Sequence, residues 1–186
     1  MMRVEKVWAG VDIGKAGGIV FISETKQLLY KIPMPIIKET REYDLLGIIN
    51  LFNHFKSGLT YVYIEQAMKF GGGNVSIASG TISLNECMGM FKGLLTAIHI
   101  PFKLIHPRTW QNKIIKPYQV NNKSTKQAGI EFCNYMWPGI DWRESTRCKK
   151  SHDGMTDAAC LAIYGLLITL ESEAALIETN KQKTLI

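Results

Sequence analysis

Four carboxylates stand where packing alone explains them poorly. Asp12 closes the β-rich run VWAGVD and is followed by Gly14, Gly17 and Gly18, so a strand-end acid sits beside residues too small to fill the space around it. A turn-forming aspartate is the plain alternative. Glu65 ends TYVYIE, and the carboxyl ends of parallel strands are where α/β sheets bind ligands. Its plain alternative is an edge-strand charge. If the two strands are neighbours, Asp12 and Glu65 face each other. Asp153 and Asp157 are four residues apart at the start of a helical run, so they share one face. Asp153 is also suited to cap that helix. Asp157 lies inside it, just before the small residues Ala158-Ala159-Cys160-Leu161-Ala162, which let a helix lie close on a sheet. Four acids gathered within a few ångströms repel, which raises some pKa values and costs stability. Divalent cations remove that conflict, two Mg²⁺ balancing four carboxylates. Oxygen-only donors favour Mg²⁺ or Mn²⁺ over zinc.

The basic residues are unevenly spread. The formal net charge is +6, yet from Cys87 to Ile130 there is no acid and there are seven bases: Lys92, Lys103, Arg108, Lys113, Lys116, Lys123 and Lys126. The rest of the chain is close to neutral. A second cluster, Arg143, Arg147, Lys149 and Lys150, precedes His152. Such a stretch is either a solvated basic surface or, without interleaved acids, a site for a polyanion, of which nucleic acid is the natural one. A carboxylate cage for two metals on a basic protein is what metal-assisted phosphodiester hydrolysis requires.

These residues need a scaffold. Residues 7–13, 17–23 and 26–32 are short β-rich runs separated by turn residues, which predicts an antiparallel meander ended by Pro33 and Pro35. Leu45, Ile48, Ile49, Phe52 and Phe55 give a helical stripe within 40–56, and YVYIE (61–65) reads as a strand. A glycine-rich loop from Lys69 to Asn74 follows. Leu84, Met88, Phe91, Leu95 and Ile98 then mark a long amphipathic helix, on which Gly89 and Gly93 allow another backbone to come close. Residues 102–105 read as a strand closed by Pro107, and 124–137 and 154–170 as two further helices. The order β-β-β-α-β-α-β-α-α predicts an α/β mixed sheet, with an antiparallel start, then parallel crossovers, flanked by helices.

The runs GVDIGKAGG, YIEQ and SHDGMTDAACLAI resemble the RuvC-like Holliday junction resolvases, phage-type versions above all. Weaker matches, NECMGMFKGLL, LIHPRTW and STKQAGIEFCNYMWP, extend the likeness over roughly residues 7 to 168. The resemblance implies a ribonuclease-H-like fold and a homodimer that nicks two opposed strands of a four-way DNA junction, using two Mg²⁺ per site with Mn²⁺ as substitute. It carries Asp12, Glu65 and Asp157 over as metal-binding catalytic residues. Many bacterial members hold their fourth ligand three residues before the last Asp, where this chain has Gly154; Asp153 is assigned instead, with His152 in reserve. Phe70 resembles the aromatic that stacks at the junction crossover, and an aromatic between Lys69 and three glycines suits stacking on an unpaired base. With Arg108, Lys113, Lys116, Lys123 and Lys126, these two residues form the expected DNA-binding set. Lys123 or Lys126 is also placed to offset transition-state charge.

Composition sets the remaining bounds. With 186 residues, 46% apolar and 20% charged, the chain is expected to form one nuclease domain over 1–186, with a core at about 7–170 and a tail at about 171–186. Its four cysteines include no C-x-x-C pair and read as reduced thiols; Cys148 and His152 alone make no zinc site. The N-terminal run has no apolar h-region, and Ala158–Leu170 is a 13-residue apolar run, too short to span a bilayer. A cytoplasmic chain with no membrane partner is expected. Three other functions share these features. One is a ribonuclease-H-like nuclease acting on RNA–DNA hybrids or other branched DNA, and another is a junction-binding protein without catalysis. The third is an ATPase of the actin, Hsp70 or sugar-kinase type, whose phosphate loop also has D-x-G followed by glycines. Tight ATP binding would identify the last, and junction binding indifferent to Mg²⁺ the second.

Overall fold

The structure is a computed structural model that describes residues 5–67, 75–119 and 124–184. Strands β1 (Val7–Asp12), β2 (Gly18–Ser23) and β3 (Leu28–Pro33) pair antiparallel in sequence, as the meander pattern predicts. Strand β4 (Leu59–Glu65) lies parallel to β1 on its other side, and β5 (Phe102–Ile105) parallel to β4. The sheet order is therefore β3-β2-β1-β4-β5, with β1 at its centre.

Helices cover both faces. On one side lie α1 (Leu45–Phe55) and α2 (Val75–Ala97), whose Ile48, Phe52, Phe91 and Leu95 are buried against Val7, Ala9, Val11, Val62 and Ile64. On the other lie α3 (Pro107–Ile114), α4 (Thr125–Met136) and α5 (Asp153–Thr184), packed on Trp8, Val20, Ile22 and Tyr63. The period-2 alternation of β1 thus sends Val7, Ala9 and Val11 to one layer and Trp8, Gly10 and Asp12 to the other. By the same alternation β4 sends Tyr63 and Glu65 to the layer that holds α5.

Helix α5 is the central element of that layer. Residues 158–163 are buried on β1 and β2, and the approach is close: a Cβ at Gly10 would lie 2.0 Å from the Ala158 carbonyl oxygen, and one at Gly165 only 2.1 Å from the Tyr63 ring. The Thr169 hydroxyl fastens the helix across two strands. It donates to Gly165 O (2.8 Å), so it accepts from Trp8 Nε1 (3.2 Å) and from the Tyr63 hydroxyl (3.1 Å). By length and composition Asp153–Glu178 is apolar enough to cross a membrane. Here its first half is instead the buried core helix of the domain.

Three elements differ from the sequence-based expectation. Helix α3 was not anticipated, because Pro107 reads as a terminator; it is instead the first helical residue, where its missing N–H costs nothing, and the His106 side chain caps the turn by accepting from Arg108 N–H (3.2 Å). A short 3₁₀ turn, Lys116–Tyr118, follows it. Helix α5 runs past Leu170 to Thr184, so the expected tail is helical to that point.

Candidate functional site

The parallel pairing of β1 with β4 aligns Val11 with Ile64, so one residue further on Asp12 and Glu65 stand side by side at the carboxyl ends of adjacent strands. Asp157, one turn into α5, faces them from above the sheet. Their charges act on one another. Burial pushes the Asp12 carboxyl well above the usual carboxylate range, and Glu65, Asp157 and Asp153 push it further, while Lys126 opposes them. Asp157 is pushed up to about 7 by burial and by Glu65 and Asp153, again against Lys126. Glu65 is raised by burial, offset by a hydrogen bond from Trp110. The four carboxylates proposed from sequence therefore share one electrostatic site.

Each side chain has a structural reason for its place. Trp110 is wholly buried in α3, and its indole Nε1–H donates to Glu65 Oε2 at 3.0 Å. One carboxylate oxygen is thereby held. Nothing in the sequence pattern singled Trp110 out; the only available signal was that a buried indole N–H needs an acceptor. Lys126, in the first turn of α4, reaches Asp153 Oδ2 at 2.7 Å and lines the same cavity as Asp12 and Asp157. Gly14 bends the chain after β1 with φ of +103°, a conformation that glycine adopts freely, and its N–H donates to the buried Cys87 thiol (3.4 Å).

Position 154 cannot carry a ligand. Gly17 and Gly154 form an isolated β-bridge, and a Cβ on Gly154 would meet Ala16 O at 2.4 Å and Gly17 C at 2.5 Å. The start of α5 is pressed onto the loop after β1, which brings Asp157 to Asp12 and leaves no room for a side chain at 154. His152, not Asp153, caps the helix: its Nδ1 accepts from Met155 N–H (3.2 Å), the third N–H of the first turn. That removes the alternative of a capping Asp153, whose carboxylate is paired with Lys126 instead.

A mutational pair follows. Asp153→Asn is expected to raise the Mg²⁺ needed for activity by roughly tenfold or more, with little change in melting temperature. His152→Ala is expected to cost about 1 kcal/mol of stability, with His152→Asn restoring it, and with no change in metal requirement. Metal titration of activity beside thermal melts checks both. A shift in metal requirement confined to the His152 variants would move the fourth ligand there.

The basic candidates separate. Arg108 is exposed at the start of α3 and lines a cavity with Asp12 and Glu65. Lys113 is paired with Glu171 of α5 at 2.6 Å. Lys116 is exposed in the 3₁₀ turn. Lys69, Phe70 and Lys123 lie outside the described residues.

Among the described residues no group of three His, Cys, Asp or Glu side chains is arranged to hold a metal ion. The donor chemistry nevertheless fits one. The acids are raised in pKa by burial and by their mutual proximity, and of the cations that line the two cavities, Lys15, Lys126 and Arg108, Lys126 is the one that opposes the shift of both Asp12 and Asp157. Its charged oxygen donors are carboxylates, with His152 and His106 at the edges of its two cavities, which suits Mg²⁺ or Mn²⁺.

No protein-family model matches the chain, and no curated protein matches it in sequence. Solved structures do. Thermus thermophilus RuvC in complex with a Holliday junction substrate superposes with a TM-score of 0.56 at 13% identity, over 89% of this chain and 96% of that one. A second Thermus thermophilus RuvC structure gives 0.54 at 14% identity, over 89% and 96%. The yeast mitochondrial Holliday junction resolvase Ydc2 gives 0.54 at 16% identity, over 86% of this chain and 77% of that one. The fold is RuvC-like. It is the ribonuclease-H-like mixed sheet that the motifs implied, with an antiparallel β1–β2–β3 half and a parallel β1–β4–β5 half. In this RuvC-like fold the carboxylates sit on the central strand, on its parallel neighbour and on the helix that covers both.

Proposed function

We propose that the chain is a divalent-metal-dependent endonuclease that nicks four-way DNA junctions as a homodimer, one nuclease domain and one active site per protomer. The observation that carries this reading is the convergence of Asp12, Glu65 and Asp157, from three elements of a RuvC-like fold, into a site whose charges raise one another's pKa. The structural neighbours named for resolvase activity or solved on junction DNA support it. The outer face of α2 supports the dimer: apart from the helix's own adjoining backbone, no atom of the described residues lies within 4 Å of a Cβ built at Gly89 or Gly93, and Ile82 on the same helix is exposed.

Asp12, Glu65, Asp153 and Asp157 would hold the ions. Bound there, divalent ions supply Lewis-acid polarisation of the phosphodiester and activate water at neutral pH. The chain's own groups do the rest. Asp12 borders two adjoining cavities, one with Asp153 and Asp157 and one with Glu65, and so is shared between them. Trp110 fixes Glu65 in one orientation. Lys126 faces the acids and offers positive charge where a pentavalent phosphorane accumulates negative charge.

The test is incubation of the purified chain with labelled four-way junction, linear duplex and RNA–DNA hybrid, with EDTA, Mg²⁺ or Mn²⁺. Paired nicks in the junction, absent in EDTA and from the duplex, are expected. Cleavage of the hybrid in preference to the junction, or metal-indifferent binding without nicking, would overturn the reading.

A further inference from the structure

Three cavities adjoin along the carboxyl edge of the sheet. The first lies between Glu65 and Arg108 and reaches Asp12 and Leu84. The second shares Asp12 and Leu84 and holds Lys126, Asp153 and Asp157. The third shares Ser151 and His152 with the second and is flanked by Lys149 and Lys150, with Glu144 as its acid. The groove therefore carries its carboxylates in the middle, where Lys15 and Lys126 also stand, and further cations at both ends.

The loop that bears Lys149 and Lys150 is pinned at its base. Trp142 is buried against Trp137, their rings 5.7 Å apart, and its carbonyl accepts from His152 N–H at 2.7 Å. Arg143 forks onto Asp141, with Nη2 to Oδ2 at 2.7 Å and Nε to Oδ1 at 2.9 Å, and its Nη1 donates to Cys148 O (3.4 Å). That fork holds the Asp141 carboxyl down at about 2. Arg143 is thus committed to the loop itself. Lys6, Lys113 and Lys126 are likewise each tied to an acid, whereas Lys149, Lys150 and Arg108 are exposed with no ion-pair partner among the described residues. Cations left unpaired on a braced loop, at the mouth of an acidic site, suit a polyanion that must pass directly over that site.

We infer that the sugar–phosphate backbone of the cleaved strand lies along this groove, gripped by Arg108 on one side of the scissile phosphate and by Lys149 and Lys150 on the other. The inference rests on the nuclease reading above and assigns a binding role to a loop outside the carboxylate cluster. It accounts for the second basic cluster of the sequence, which the acid-free stretch from Cys87 to Ile130 does not include.

The test uses the full chain and a labelled four-way junction, with affinity measured in EDTA over a series of salt concentrations. Lys149→Ala/Lys150→Ala is expected to bind about tenfold more weakly at near-physiological salt and to flatten the log–log salt slope by roughly one to two. Arg108→Ala is expected to flatten it by about one. Lys149→Arg/Lys150→Arg should keep the wild-type slope, and Lys56→Ala, at the end of α1 on the opposite layer, should change nothing. Wild-type affinity and slope in the double alanine variant, alongside normal nicking by the wild type, would overturn the groove and leave the nuclease. Weaker binding with an unchanged slope would overturn it equally, as loop damage. The expected slopes without any Mg²⁺- or Mn²⁺-dependent nicking by the wild type would keep the groove and overturn the nuclease. No junction binding by the wild type would overturn both.

Discussion

Asp12→Asn is expected to reduce Mg²⁺-dependent nicking of a four-way junction more than 100-fold while binding the junction in EDTA at least as tightly as the wild type. Asp12 sits at the end of the central strand and borders both halves of the site, so no neighbouring carboxylate can take its place. A 100-fold loss is about 2.7 kcal/mol of barrier, modest for a residue shared between two cavities. Binding should hold or tighten because the substitution removes a negative charge from beside a phosphate. Glu65→Gln should follow the same pattern, since the amide keeps an oxygen for the Trp110 N–H and loses the charge. Single-turnover cleavage beside metal-free binding separates the two effects. More than about a tenth of wild-type cleavage in both variants, a barrier change under about 1.4 kcal/mol, would remove the metal site from these residues.

The parts of this site visible in the sequence were those with a local signature. Alternation along VWAGVD places Trp8, Gly10 and Asp12 on one face, and that is the face α5 covers. The small residues after Asp157 announce a helix lying close on the sheet, and Gly10 receives it. What stayed hidden depends on contacts between distant segments. An eight-residue helix opened by a proline has too few turns to show a periodic stripe, so α3 and the hold of Trp110 on Glu65 were not legible. Gly154 looked like a departure from a ligand pattern. It is the meeting point of two backbones, Gly17 and Gly154, and any side chain there would push Asp157 off the strands. From sequence Asp153 reads as a ligand, with capping as its alternative and His152 in reserve; only the hydrogen bond to Met155 shows which of them caps. That Lys113 pairs with Glu171, 58 residues further along the chain, was equally hidden, because only the passage of α5 beside α3 brings them together.

In metal-free buffer the protein is expected to lose stability as the pH rises from about 4 to 8, and Asp157→Asn is expected to be more stable than the wild type at the upper end. The sign follows from proton counting. Asp157 titrates near 3.8 when unfolded and is pushed up to about 7 in the fold, with Asp12 raised as well, so between these values the folded state binds more protons. Stability from these groups is fully present below the unfolded value and is lost as the pH climbs through the folded one. For Asp157 alone the ceiling is roughly 4 kcal/mol, reached above pH 7. The asparagine is neutral throughout and escapes that penalty. At pH 8 in EDTA its melting temperature should therefore exceed that of the wild type by roughly 5–10 °C, while at pH 4 the two should nearly coincide. Taking the difference between variant and wild type cancels the other titrating groups. Mg²⁺ should reverse the order: a cation bound to the ionised acids stabilises the wild type by mass action, increasingly as the pH rises, and does so less for the variant. Thermal melts at several pH values, with EDTA or Mg²⁺, read all of this without any activity assay. Equal melting temperatures for variant and wild type at pH 8 in EDTA would show that the acids are not in conflict. The electrostatic case for a cation at this site would then fall.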